Sequence, residues 1–185
     1  MPVNWLFIGE QEGAGIREGY VPVANTSESG VTIGTGVDLG QRSAASLAAL
    51  GLSPALQVKL GPYCGLRKQE AQAFLSANPL SITEEECAQI DTAIRSVHLA
   101  TLMSRYNSNQ PRPARPFDQL PDLAQTVIAS VAFQYGDLPS RCPNFWATAI
   151  RQNWNDMIRE LENFGDAYGP RRRREANYLR PVLGA

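Results

Sequence analysis

Three residues in the first quarter of the chain have types and spacing that could do chemistry together: Glu12, Thr32 and Asp38. Cleaving a glycosidic bond needs a carboxyl group that can be kept protonated to serve the leaving oxygen, and a polar group opposite that attacks or places water. Glu12 stands beside Gly13 and Gly15, which leave room for a polymer to approach. Thr32 and Asp38 lie six apart, an offset that turns both to one face of a regular strand, but Gly34, Gly36 and Gly40 argue against regularity there. Bland readings compete: Glu at a helix end is commonly a solvated cap, and Thr suits a strand. The glycines of GTGVDLG suit turns and close backbone approach better than a phosphate loop, since GxGxxG is not met and no Lys follows.

Other chemistries have less to draw on. The single histidine, His98, sits in IRSVHLATLM, which reads as the apolar side of a helix, so a packing or surface role is expected rather than a Ser-His-Asp triad. Cys64, Cys87 and Cys142 form no CxxC and no cluster with histidine at ligand spacing. Neither a metal site nor a disulfide framework is expected, and no cofactor.

The elements that must position the three residues follow from periodicity and breakers. Residues 3–11 read as a first helix stopped by Gly13 and Gly15, which puts Glu12 at its end. Residues 19–39 read as two β-rich runs around a polar turn at 25–30, a hairpin with Pro22 on an edge strand. Short helical pieces separated by Gly and Pro follow and should pack onto the hairpin. The strongest helix signal begins after Thr83, which can cap it, with Glu86 closing a capping box; Ile90, Ile94, Val97 and Leu102 form one apolar side, and the helix should run to about Tyr106. After the proline-rich connector NSNQPRPARPFDQLP comes the most apolar helix, DLAQTVIASVAFQYG, with Gly136 as its C-cap. Helices around Trp146, Trp154 and RRRREANYLR complete the chain, with Arg171 and Arg172 able to pair with Glu175. The class is α+β: one domain over 1–185, with a hairpin-containing small lobe at 13–83 and a helical lobe from 1–12 and 84–185, bridged by the helix at about 84–106.

The charge balance narrows the partners. With 17 basic and 18 acidic residues the formal charge is −1, too even for a general polyanion binder, so no nucleic-acid partner is expected. Residues 1–100 carry 6 basic and 10 acidic groups, and 101–185 carry 11 and 8, so an anionic partner would meet the second half. No apolar run of membrane-spanning length occurs, and MPVNWLFIGEQEG lacks the pattern of a signal peptide. The reading is a chain without a membrane segment, exported by another route or as part of a larger protein.

In order and spacing, EG at 12–13, TIGTGVDLGQ at 32–41, SITEEE at 81–86, FDQLP at 117–121, SVAFQYGD at 130–137, NWNDMIRELEN at 153–163 and RRRREANYL at 171–179 resemble the phage-type lysozymes, closest to their pesticin-like branch. The resemblance covers nearly the whole chain. It implies a two-lobed lysozyme-like fold and a bacteriolytic muramidase that hydrolyses the β-1,4 bond between N-acetylmuramic acid and N-acetylglucosamine of the peptidoglycan glycan strand, acting in the periplasm or outside the cell. The family's acid, the Glu before Gly at the first helix end, maps to Glu12 rather than Glu10. Its hairpin Thr maps to Thr32. Many phage lysozymes carry a carboxylate before that Thr, where this chain has Val21, Pro22 and Val23; the pesticin-like branch has an Asp six residues after it, matching Asp38, with Glu28 as the fallback. With Glu12 protonating the leaving oxygen and a water held by Thr32 and activated or stabilised by Asp38 on the opposite face, the expected outcome is inversion. The resemblance also implies a cleft-facing helix end with sugar contacts at Gln134, Tyr135 and Gly136, where Phe133 reads as core, a largely structural Arg-rich helix, and, for a bacteriocin or effector setting, a cognate immunity protein. Two alternatives remain open: a lytic transglycosylase using the same acid without water, and a non-catalytic wall-binding module.

Overall fold

A computed structural model of the protein describes residues 3–12, 15–23 and 28–184, without the side chains of Gln11 and Glu12. Helix α1 spans Trp5–Glu12. A three-stranded antiparallel sheet follows in the order β1-β2-β3, with β1 at Ile16–Tyr20, β2 at Thr32–Gly34 and β3 at Val37–Asp38. The remaining helices are α2 (Ala44–Ala49), α3 (Pro54–Leu60), α4 (Lys68–Ala77), α5 (Glu84–Asn109), α6 (Asp122–Tyr135), α7 (Leu138–Arg141), α8 (Pro143–Ile150), α9 (Trp154–Glu162) and α10 (Gly169–Leu179). The class is α+β, mostly helical with one small sheet.

The chain forms two compact units, one of residues 12–97 and one of residues 1–11 with 98–185. In the first, the sheet is built by glycine and by capping. Gly34 and Gly36 adopt φ of +64° and +100°, which lets β2 reverse into β3 within three residues. The sequence reading put Thr32 and Asp38 on one strand; they stand instead on neighbouring strands, as directly opposed partners. The expected single hairpin is thus two consecutive ones, and β1 ends at Tyr20, before Pro22. Part of the polar turn expected at 25–30 lies outside the described residues. In this unit Val31, Ile33, Leu39, Leu47, Leu56, Leu60 and Ile90 are buried.

Local signals fix the helix starts. Ser43 and Ser46 form a capping box on α2, and the Ser53 hydroxyl accepts from the Leu56 amide ahead of α3. At α5 the box expected from the sequence is present: Thr83 N donates to Glu86 Oε2 at 2.8 Å and Glu86 N to Thr83 Oγ1 at 3.2 Å. Glu86 also takes the Lys59 ammonium at 2.7 Å, and this bond, ahead of the Thr83 amide, holds its carboxyl below the usual range. α5 runs three residues past the expected end, and Val97, expected in its apolar side, is 46% exposed.

The second unit has its core on α6, where residues 124–132 are all buried, packed with Phe117, Leu138, Phe145, Met157, Leu161 and Leu179. Trp146 is buried there, while Trp154 and Phe133 are partly buried against the same core. His98 is exposed and its ring lies 5.4 Å from that of Phe133. The three cysteines are free, and burial pushes each thiol up. Among the described residues no helix is long and apolar enough to cross a membrane.

One charged cluster is packed inside this unit. Arg172, 1% exposed, pairs with Glu175 and with Asp166 at 2.9 Å, and its guanidinium lies 4.5 Å from the Phe164 ring centroid. Glu175, fully buried, also accepts from Arg171 at 3.3 Å and from the Ser130 hydroxyl at 2.6 Å. Desolvation alone would raise the Asp166 carboxyl, but hydrogen bonds from Tyr135, Arg172 and the Tyr168 amide, with the Arg172 charge, bring it below the ordinary aspartate value. A depressed folded-state value gives stability that is complete above the unfolded value and lost as pH falls through the folded one. The melting temperature should therefore fall as pH drops below about 4, and Asp166→Asn should flatten part of that acid limb; an unchanged acid limb in this variant would refute the assignment.

Candidate active site

Asp38 is the N-cap of the short 3-10 turn Leu39–Gln41. One carboxylate oxygen, Oδ1, accepts from Gly30 N at 2.9 Å and Gly40 N at 2.8 Å. The two glycines approach so closely that a Cβ on Gly30 would stand 2.5 Å from Gly40 Cα, and a Cβ on Gly40 would stand 2.6 Å from the Leu66 carbonyl oxygen. Asp38 thus closes a clasp across two buried backbone segments that only glycine can form. The clasp is backed by Arg67, whose Nε donates to Gly40 O at 3.1 Å and whose second nitrogen donates to Gln41 Oε1 at 3.0 Å, and by Lys68 N donating to Ser29 O at 2.9 Å. Gly30→Ala and Gly40→Ala should each destabilise by at least about 2 kcal/mol, read as a lowered melting temperature; a melt like the parent's would contradict the close approach.

Among the described residues no hydrogen bond reaches the other oxygen of Asp38, Oδ2. Asp38 is half-buried and Thr32 is 4% exposed. As opposed residues of an antiparallel pair, the two share a face of the sheet, with Cβ atoms roughly 5 Å apart by strand geometry. The Thr32 hydroxyl donates to Gly30 O at 3.3 Å, which turns its lone pairs away from that carbonyl. The face therefore carries two acceptors side by side, the Thr32 oxygen and Asp38 Oδ2. Glu12, the last residue of α1, is counted in the same compact unit as Thr32 and Asp38; its side chain lies outside the described residues. Glu28, the fallback carboxylate, is exposed and pairs with Lys68.

The other candidate residues lie in the helical unit. Gln134 uses Oε1 to accept from Arg172, and Tyr135 donates its hydroxyl to Asp166 at 2.6 Å. Gly136 caps α6 at φ +72°, its amide donating to Ala132 O. Arg171 and Arg172 take the expected ion-pairing role with Glu175, at i+4 and i+3. Sequence reasoning missed Asp166 as the third partner of this cluster. It also missed Asp91 of α5, which accepts from the Thr35 hydroxyl at 2.9 Å and from its amide at 3.3 Å. Among the described residues no group of three or more His, Cys, Asp or Glu is arranged to hold a metal ion.

No curated protein matches the chain. Residues 3–155 match the family described as "Pesticin: Bacterial toxin homologue of phage lysozyme, C-term". That span holds α1, the sheet, the glycine clasp and the core helix α6, and it stops short of α10. With a lysozyme-type α+β fold and more than half of its residues matched, the chain belongs to the pesticin family of bacterial toxin homologues of phage lysozyme.

Proposed function

We propose that the protein is a peptidoglycan muramidase that cleaves the β-1,4 bond between N-acetylmuramic acid and N-acetylglucosamine with inversion, and that it lyses bacteria by doing so. The observation that carries this reading is the pair of acceptors on one sheet face, Thr32 and Asp38 Oδ2, next in the chain to the fixed clasp. A water that donates one hydrogen to each acceptor presents its lone pair outward, as attack on an anomeric carbon requires. Holding Oδ1 with two backbone amides fixes the direction of Oδ2 without cost at the moment of reaction.

In this reading Glu12 gives its proton to the oxygen leaving toward N-acetylglucosamine. The water adds at C1 from the opposite face, and Asp38 takes the proton the water releases. One C–O bond breaks, one C–O bond forms, and the two carboxyl groups exchange their proton through solvent before the next cycle. Inversion requires carboxyl groups roughly 6.5–9.5 Å apart, with room for that water.

Gln134, Tyr135 and Gly136 are proposed sugar contacts in the helical unit. Because Arg172 holds the Gln134 carbonyl oxygen, its amide nitrogen is left with two donors, the hydrogen-bonding type that suits N-acetyl carbonyls. The site of action is the cell wall, and a toxin of this kind calls for a cognate immunity protein in the producing cell. Proton NMR of the first-formed product on a soluble glycan strand tests the stereochemistry: the α-anomer should appear first, and a β-anomer would replace inversion by a covalent intermediate.

A further inference from the structure

Asp91 lies in the N-terminal third of α5, 56 positions beyond the threonine it binds, and nothing in the hydrolytic step described above uses it. Its Oδ1 accepts twice from Thr35, the central residue of the β2–β3 turn, through the hydroxyl at 2.9 Å and the amide at 3.3 Å. Gly34 packs against the same oxygen, where a Cβ would stand 3.3 Å away. The other oxygen, Oδ2, faces Gly15, where a Cβ would stand 3.5 Å away. One helical turn earlier, Cys87 Sγ fills the space beside Gly15, 2.6 Å from where its Cβ would be. Gly15 and Gly34 are themselves neighbours, since β1 and β2 pair Ile16 with Gly34. One face of α5 thus receives the backbone of two glycines. One, three residues after Glu12, immediately precedes β1, and the other ends the strand that carries Thr32.

We infer that Asp91 is a positioning residue of the hydrolytic site. It pins the β2–β3 turn to α5 and so sets the relative placement of Thr32 and Asp38, while its second oxygen bounds Gly15, the residue that leads into β1. The inference rests on the muramidase reading. A displacement of the order of 1 Å in a water-holding pair costs about 100-fold in rate, so loss of the pin should appear in turnover and leave strand binding alone. Hydrogen bonding, not charge, is the working property: asparagine keeps the Oδ1 acceptor and should substitute, whereas alanine should not.

The test compares the parent, Asp91→Ala, Asp91→Asn and Thr35→Val on purified peptidoglycan, well below each variant's melting temperature. Asp91→Ala should lower kcat about tenfold or more with KM within about twofold, Thr35→Val should lower it in the same direction, and Asp91→Asn should stay within about threefold of the parent. The amide NMR signals of Gly30 and Gly40, which report the clasp, should shift in Asp91→Ala and hold in Asp91→Asn. Unchanged kcat in Asp91→Ala overturns the inference, as does an asparagine variant no better than alanine. If alanine does not fold, Thr35→Val removes the hydroxyl bond from the other partner, and unchanged kcat there overturns the inference equally. A parent that releases nothing overturns the muramidase reading instead, and the Gly30 and Gly40 signals still decide whether Asp91 holds the clasp.

Discussion

Asp38→Asn is expected to cut muropeptide release about 100-fold while the protein stays folded. Asparagine keeps an oxygen that can accept from Gly30 N and Gly40 N, so the clasp survives. What it loses is the negative charge and basicity of the second oxygen, which the mechanism assigns to the attacking water. Asp38→Ala separates the two jobs further, because it leaves two buried amides without a partner at about 1–3 kcal/mol each and should lower the melting temperature as well as the rate. Release assays with melting curves on both variants check this. If Asp38→Asn hydrolyses at the parent rate, the carboxylate is a structural clasp and the water must be held elsewhere.

The larger loss is expected at Glu12. Glu12→Gln keeps the size and polarity of the side chain and removes the proton that the leaving oxygen needs, so release should fall about 1,000-fold. Binding to insoluble peptidoglycan should persist, since the change does not alter the shape of the site. A pull-down beside the release assay distinguishes this from a non-catalytic wall-binding module, in which Glu12→Gln would behave as the parent does in both measurements.

The sequence and the structure agree where the determinants are local. The Thr83–Glu86 box, the Gly136 cap and the pairing of Arg171 and Arg172 with Glu175 each involve residues within four positions of one another, and each is present. The grouping of Thr32 with Asp38 also stands, but for another reason: their common face comes from strand pairing across the Gly34–Gly36 turn, not from alternation along one strand. Periodicity put Val97 in the apolar side of α5, yet a 26-residue helix drifts off any single stripe, and Val97 is largely exposed.

What was not legible depends on contacts between distant segments. The Gly30–Gly40 approach needs the Leu66 carbonyl as its third wall, and the Asp91–Thr35 bond joins a helix to a turn far back in the chain. Asp91 in sequence is one more acid on a helix. The burial of Arg172 was hidden for a similar reason: four consecutive arginines suggest a solvated face, but Asp166, Glu175, Gln134 and Phe164 surround the second of them. The i+4 and i+3 spacing of Arg171 and Arg172 from Glu175 was the one available signal, and it identified the pairing without its depth.

The most direct test of the central claim is mass analysis of peptidoglycan fragments after digestion and borohydride reduction. Hydrolysis at the muramic acid carbon frees a reducing end there, so the account predicts fragments ending in reduced N-acetylmuramic acid. Anhydro ends, which borohydride leaves untouched and which are therefore lighter than reduced N-acetylmuramic acid ends by one water and two hydrogens, would indicate transglycosylation, and reduced N-acetylglucosamine ends would indicate cleavage of the other bond; either result, or no release at all, would contradict the account.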